Sequence, residues 1–310
     1  MQRLPALMLL LVTAAIPLDH SAAQTGIDSL RPPIIDMHLH AYRLDDGEPP
    51  AVNPVTERPS AARTSAELRD MTLAELKRYS IVKAVTSGPP EMVGQWREAS
   101  PDRIIVSAWI DEASPLPDLA RLRAEMQAGR VQVLGELILQ MRGMAPSDPR
   151  LEPYYALAEE MDVPVGIHTG VGPPGTPYEP CCPNFRVTLG NPSLVEEVLI
   201  RHPRLRIYLM HGGWPYLQET KAILSVYPQV YADLATINWI IPREEFHGYL
   251  RELIVAGFGK RLLFGSDQMV WPEAIGMAVE GIESAVFLSE GEKRDIFYNN
   301  AVRFLKLDEK

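Results

Sequence analysis

Ile34-Ile35-Asp36-Met37-His38-Leu39-His40 joins a short apolar run to two histidines one residue apart. Side chains along a strand alternate between faces, so a strand here turns His38 and His40 the same way and offers two imidazoles to a single point. Such a pair suits a metal ion. Three more groups end later apolar runs: His168 after Val165-Gly166-Ile167, His211 after Tyr208-Leu209-Met210, and Asp267 after Phe264-Gly265-Ser266.

Working outward, eight strand-like runs follow one another at 34–40, 81–87, 104–110, 131–139, 163–169, 206–211, 229–235 and 261–267. They are short, rich in β-branched residues and weakly alternating, as expected of parallel strands buried on both faces. Helix signals fill the gaps. Ser65-Ala66-Glu67-Leu68 leads a run through Tyr79, and Pro115 opens one that Gly129 stops. Pro149-Arg150-Leu151-Glu152 precedes Tyr155-Ala156-Leu157-Ala158, Asn191-Pro192-Ser193 caps a run to Arg201, and Pro242-Arg243-Glu244-Glu245 starts one that Gly257 ends. Strand and helix alternate throughout, which predicts an α/β fold of the (β/α)8 TIM-barrel type. An added C-terminal helix at 289–307 is expected to pack outside the barrel.

Two connections are longer than a barrel needs. Residues 41–63 are rich in proline and charge, and residues 170–191 hold Gly172-Pro173-Pro174-Gly175, Tyr178, two cysteines, Asn184 and Arg186. Both follow strands ending in candidate ligands, so both are expected at the carboxyl face of the strands, as substrate pocket or lid. Tyr178, Arg186 and Trp214 are the expected substrate-binding residues, with Arg142 and Trp271 as further loop candidates. The cysteines, Cys181 and Cys182, are neighbours and cannot staple distant parts of the fold. A vicinal disulfide and a pair of free thiols both remain open, and two small loop residues is the simpler expectation.

Bulk properties narrow the class. In 310 residues, 46% are hydrophobic and 23% charged, which is ordinary for a soluble enzyme. A net charge of −10 and the lack of a basic tract speak against nucleic acid and anionic membranes as partners. Residues 1–23 read as a secretory signal, with Arg3, an apolar stretch from Leu4 to Ile16, and Ser21-Ala22-Ala23 before the cut. The apolar stretch is short for a bilayer span. The expectation is a secreted or periplasmic chain of one domain, 24–310, with no membrane insertion after cleavage, acting on a small molecule; a homo-oligomer is compatible with it.

At the site, His38, His40, His168 and Asp267 are the expected ligands of one divalent ion, with zinc the first choice and manganese, iron or cobalt alternatives. Asp36 is expected to orient the first strand or its imidazoles. His211 either completes the coordination or, as the favoured role, polarises a substrate carbonyl. Glu136, within Leu134-Gly135-Glu136-Leu137, is a carboxylate inside an apolar strand and must find a cation, a metal or a proton. It either bridges to a second metal, acts as a base, or pairs with Arg142. His202 and His247 are expected to be exposed and idle.

On these residues the chain resembles the amidohydrolase superfamily, in its amidohydrolase-related branch similar to aminocarboxymuconate semialdehyde decarboxylase. The matching elements are Asp36-Met37-His38-Leu39-His40, His168, His211 and Asp267, spread from about Ile34 to Leu307. The resemblance implies that His38, His40, His168 and Asp267 hold the metal and that His211 assists the reacting group. Leu134-Gly135-Glu136 is similar instead to the strand-four glutamate of TatD-like metal hydrolases, which keep a second metal. No lysine ends strand four, so the resemblance does not extend to the carbamylated-lysine type.

The chemistry expected is hydrolysis of a C–N or C–O bond in an amide, lactone or ester, with Asp267 moving the proton and His211 stabilising the oxyanion. A metal-dependent decarboxylase using the same residues on an unsaturated or aromatic carboxylate is the alternative. A metal-free barrel that only binds a ligand is the third reading.

Overall fold

Eight parallel strands are hydrogen-bonded in sequence order, β1 through β8. They are β1 Ile34–His40, β2 Ile81–Ser87, β3 Ile104–Ile110, β4 Val133–Leu137, β5 Val165–His168, β6 Ile207–Met210, β7 Val230–Asp233 and β8 Leu262–Leu263. The computed structural model describes residues 31–44, 49–111 and 114–307. The proposed signal segment lies outside these residues; the described residues from Pro32 onward form one compact unit. Helices α1 Ser65–Arg78, α2 Pro90–Ala99, α3 Leu119–Gln127, α4 Glu152–Glu160, α5 Glu196–Arg201 and α6 Leu217–Val226 each follow a strand. Between β7 and β8 lie α7 Ile237–Ile240 and α8 Arg243–Val255; α9 Ala274–Glu283, α10 Glu290–Arg294 and α11 Asn300–Leu305 finish the chain. The fold is a (β/α)8 TIM barrel. Among the described residues, no helix is long and apolar enough to cross a membrane.

The expected runs from β4 onward are trimmed at their ends, because their last residues leave the ladder to build the mouth. Helix starts follow local chemistry. Thr64 and Glu67 form a reciprocal capping box at α1, Asp118 accepts from the Arg121 amide at α3, and Asn191 accepts from the Ser193 amide ahead of α5.

The barrel closes by an unusual seam. β8 is two residues long and pairs with β7 through Ala232–Leu262 and Asp233–Leu263. Its other side meets β1 through two main-chain bonds, Met37 N to Phe264 O at 2.9 Å and Asp267 N to His38 O at 2.7 Å. β1 itself shifts register between Asp36 and Leu39.

Ile35, Met37, Val85, Ile105, Val133, Tyr208, Met210 and Leu263 form one buried cluster with Ala301, Val302, Phe304 and Leu305. Side chains from strands on opposite sides of the barrel meet only in its interior, so α11 floors that interior. This corrects the expectation of a helix packed outside. Phe304 lies 5.6 Å from the Tyr208 ring and 4.8 Å from Tyr231, centroid to centroid. The Phe304 carbonyl also accepts from Arg206, just before β6.

Phe304→Ala should therefore destabilise the protein by about 3–5 kcal/mol in urea denaturation, as for other buried Phe truncations. Val286→Ala, at a side chain 92% exposed, should stay within about 0.5 kcal/mol of the parent.

Candidate metal centre

Four imidazoles and three carboxylates meet at the carboxyl ends of the strands. His38 and His40 end β1, Glu136 lies in β4, His168 ends β5, His211 follows β6, Asp233 ends β7 and Asp267 follows β8. Glu136 sits in their midst: Oε1 is 2.6 Å from His168 Nδ1 and 3.5 Å from His211 Nε2. Its Oε2 lies 3.4 Å from His38 Nε2 and 3.2 Å from His40 Nε2. Asp267 Oδ1 is 3.2 Å from His40 Nε2 and 3.9 Å from His38 Nε2. The two β1 imidazoles face each other, Nε2 to Nε2, at 3.2 Å.

The residues singled out in the sequence thus converge, but not as one set. His38, His40 and Asp267 bring ligand atoms within 4.8 Å of one another, and so do His38, Glu136 and His211. His168 turns Nδ1 to Glu136 and to His211 Nε2, 3.2 Å away. Glu136 does not pair with Arg142, whose guanidinium donates to the Ser114 carbonyl instead.

A divalent ion fits this donor set. With neutral imidazoles, the carboxylates of Glu136, Asp233 and Asp267 carry three negative charges in a site shut off from water, a combination that demands a cation. His168 Nε2 and Asp267 Oδ1 are buried without a hydrogen bond. Burial alone would lower the pKa of His38, His40 and His211, yet the facing carboxylates raise all three above the ordinary histidine value. Glu136 and Asp267 shift the other way: burial works to raise them, but the imidazoles around them hold both below the carboxylate range.

The backbone here is locally strained. His211, Thr236 and Asp267 all adopt positive φ, at 59°, 62° and 45°, a region that costs residues other than glycine about 1–3 kcal/mol each. Thr236 donates its hydroxyl to Asp267 Oδ2. Gly265 is required by close approach, since a Cβ there would lie 2.8 Å from the His38 Cβ and 2.9 Å from that of Ala235.

Side chains lace the seam between β1 and the turn after β8. Asp36 accepts from Ser266 N at 2.9 Å, Ser266 Oγ at 2.6 Å and His38 N at 3.0 Å. Gln268 acts as a substitute strand, accepting from His40 N at 3.0 Å and donating to His40 O at 2.6 Å. From α7, Asn238 and Trp239 donate to the carbonyls of Gly265 and Ser266. Sequence reasoning passed over Ser266, Gln268, Thr236 and Asp233. The one available signal was for Asp233, a carboxylate ending a strand as Asp267 does.

The expected substrate residues make contacts of their own. Tyr178 is 90% exposed. Arg186 donates to the carbonyls of Pro183 and Phe185, and Trp214 donates to Glu245. Trp271 donates to Ala51 and so ties the first long loop down. Cys181 and Cys182 form a vicinal disulfide, so the expectation of two plain loop residues is corrected. Cys182 packs with Ile138, Met141, Phe185 and Trp109. Tyr42 stacks on His40 at 4.6 Å, and Trp109 stands edge-on 6.1 Å from Tyr42. His202 is buried, not exposed, between Glu152 at 2.9 Å and Glu159 at 3.4 Å. His247 is half-buried with Nε2 3.0 Å from the Gly281 carbonyl.

The family model for amidohydrolase matches residues 35–307. The chain belongs to the amidohydrolase family. Protein fluG of Emericella nidulans is 24% identical over 161 residues, 47% of this chain and 18% of fluG, so the amidohydrolase described here spans under a fifth of that relative's length. Its fold is shared with a probable 2-pyrone-4,6-dicarboxylic acid hydrolase from Acinetobacter baumannii, at TM-score 0.61 and 14% identity, covering 88% of this chain and 99% of that one. It is shared equally with a 2,6-dihydroxybenzoate decarboxylase from Rhizobium, at TM-score 0.61 and 17% identity, covering 89% and 99%.

The Asp36–Ser266 contact yields a pH-dependent expectation. Burial pushes the Asp36 carboxyl up to about 6 from 3.8, against the hydrogen bonds of Ser266 and His38 that favour the charged form. Between those values the folded chain holds a proton the unfolded chain has lost, so stability falls as pH rises, and the full cost of the charged form is present above 6. Ser266→Ala removes a donor to that charged form. It should cost roughly 1.5–3 kcal/mol at pH 8 and distinctly less at pH 5, read by urea denaturation at both values.

Proposed function

We propose that this amidohydrolase is a secreted or periplasmic, divalent-metal-dependent hydrolase that cleaves a C–N or C–O bond in a small amide, lactone or ester. The observation that carries the reading is the setting of Asp267. One oxygen lies beside the His38 and His40 nitrogens, while the other is held by Thr236 and stands 3.9 Å from His211 Nδ1. A carboxylate so placed reaches both the ligand imidazoles and a reacting group beside them.

His38, His40 and Asp267 would hold the ion, with Glu136 and His211 as the neighbouring donors. The chemistry such an ion, zinc by preference for imidazole and carboxylate, would supply there is Lewis acidity, which brings the pKa of water from 15.7 to roughly 7. Asp267 takes the proton of the attacking water and returns it to the leaving nitrogen or oxygen. His211, with Nε2 3.5 Å from Glu136 and Nδ1 3.9 Å from Asp267, would face the negative charge that develops on the carbonyl oxygen. Glu136 fixes the His168 ring through Nδ1. The low polarity of the closed barrel strengthens each of these interactions.

Decarboxylation of an unsaturated or aromatic carboxylate is the second reading, favoured by the likeness to the dihydroxybenzoate decarboxylase fold. The proposed secretory signal, which would remove the chain from intracellular intermediates, and the base-like setting of Asp267 support hydrolysis.

Elemental analysis and a panel of lactones, amides, esters and carboxylated aromatics test both. The wild type should carry a divalent metal and hydrolyse one class. Asp267→Asn should lower kcat by about 10²–10⁴, and His38→Ala should lose the metal with the activity. Carbon dioxide release from a carboxylated aromatic would put the decarboxylase reading in place of hydrolysis; full activity of His38→Ala would remove both.

A further inference from the structure

Asp233 is fully buried at the end of β7, and both its oxygens are committed. Oδ1 accepts from the backbone N–H of His211 at 2.8 Å and of Ala235 at 3.0 Å. Oδ2 stands 3.2 Å from His38 Nδ1. A carboxylate only accepts, so His38 Nδ1 must carry the proton. In a neutral imidazole this leaves Nε2 with its lone pair, and Nε2 is the atom that faces His40, Glu136 and Asp267.

Resting on the metal reading above, we infer that Asp233 is the positioning residue of the centre: it fixes His38 in the Nδ1–H tautomer, aiming the Nε2 lone pair at the ion, and pins the His211 backbone with its other oxygen. One side chain thereby sets the ring of a β1 ligand and the turn that carries His211, across a sequence separation of 195 residues. Partners of this kind orient metal-bound histidines and raise their basicity.

Asp233→Asn separates the two tasks. The amide oxygen keeps the two backbone N–H bonds, which forces the amide NH2 toward His38 Nδ1. The opposite flip would set NH2 against two N–H donors. Nδ1 then becomes an acceptor and the proton moves to Nε2, where it blocks coordination, the same logic by which an Asp-to-Asn change imposes the wrong tautomer in a catalytic triad.

The test measures zinc affinity by chelator competition, with melting temperature alongside, for the full chain and the variant. Zinc should bind Asp233→Asn about 10- to 100-fold more weakly at a melting temperature close to that of the parent. Affinity within twofold of wild type would overturn the inference, as would a lowered melting temperature with affinity unchanged, the mark of a merely structural role. Should the variant not fold, ¹⁵N NMR of zinc-loaded wild type decides: His38 should be protonated at Nδ1 and bound through Nε2, and binding through Nδ1 would overturn it. Wild type that takes up no zinc would strike the metal reading itself, and this inference with it.

Discussion

A carboxylate deep in an apolar barrel is the constraint around which the rest is arranged. Glu136 sits inside β4 with one oxygen toward the β5 and β6 histidines and the other toward both β1 histidines. Charged and unpaired, it would cost several kcal/mol to bury, so the imidazoles must arrive together and in register. They do so because parallel strands in a closed barrel put their carboxyl ends on one rim, where adjacent strands stand about 4.8 Å apart. Barrel closure and charge balance are therefore one requirement, and the same surplus of negative charge makes the rim a place for a divalent cation.

Closure is also where the ordinary ladder gives out. β8 offers two paired residues, and its continuation turns away through positive φ at Asp267. Asp36, Ser266 and Gln268 supply the missing hydrogen bonds, with the Gln268 amide satisfying both backbone groups of His40. The chain can thus spend its last strand on a sharp turn that aims Asp267 at the histidines. The strain stored at His211, Thr236 and Asp267 is held by bonds at the rim: Asp233 accepts from the His211 amide, Thr236 donates to Asp267, and the Asp267 amide donates to the His38 carbonyl.

The strands were legible from sequence because burial on both faces leaves an unmistakable apolar signature, and His38 and His40 because a one-residue spacing has a fixed meaning on a strand. His168, His211 and Asp267 were legible as polar groups closing apolar runs. What escaped were side chains defined by partners far along the chain: Ser266 bonds Asp36 across 230 residues and Gln268 bonds His40 across 228. Nothing local marks such a pair. His202 was misjudged for the same reason, since the glutamates that bury it lie 50 and 43 residues away. The helix at the end of the chain was placed outside because its apolar face fits a barrel wall as well as a barrel floor. Only the aromatic packing of Phe304 decides between them.

The long loops follow a different logic from the strands. Tyr178, Arg186 and Trp214 looked suited to bind substrate because they lie in segments leaving the rim, yet Tyr178 is exposed, Arg186 bonds carbonyls of its own loop and Trp214 bonds Glu245 on α8. Tyr42 stacks on His40, Trp109 meets Tyr42 edge-on, and Trp109 packs in turn against the apolar group of Ile138, Met141, Cys182 and Phe185. Trp109 lies in β3 and Tyr42 two residues past β1, so both are placed by strands, whereas the disulfide belongs to the long loop after β5. A barrel built this way fixes its candidate ligands in the strands, and the proposed metal chemistry would leave selectivity to what the loops set against them. Proteins with differently named reactions can then share one fold at 14–17% identity.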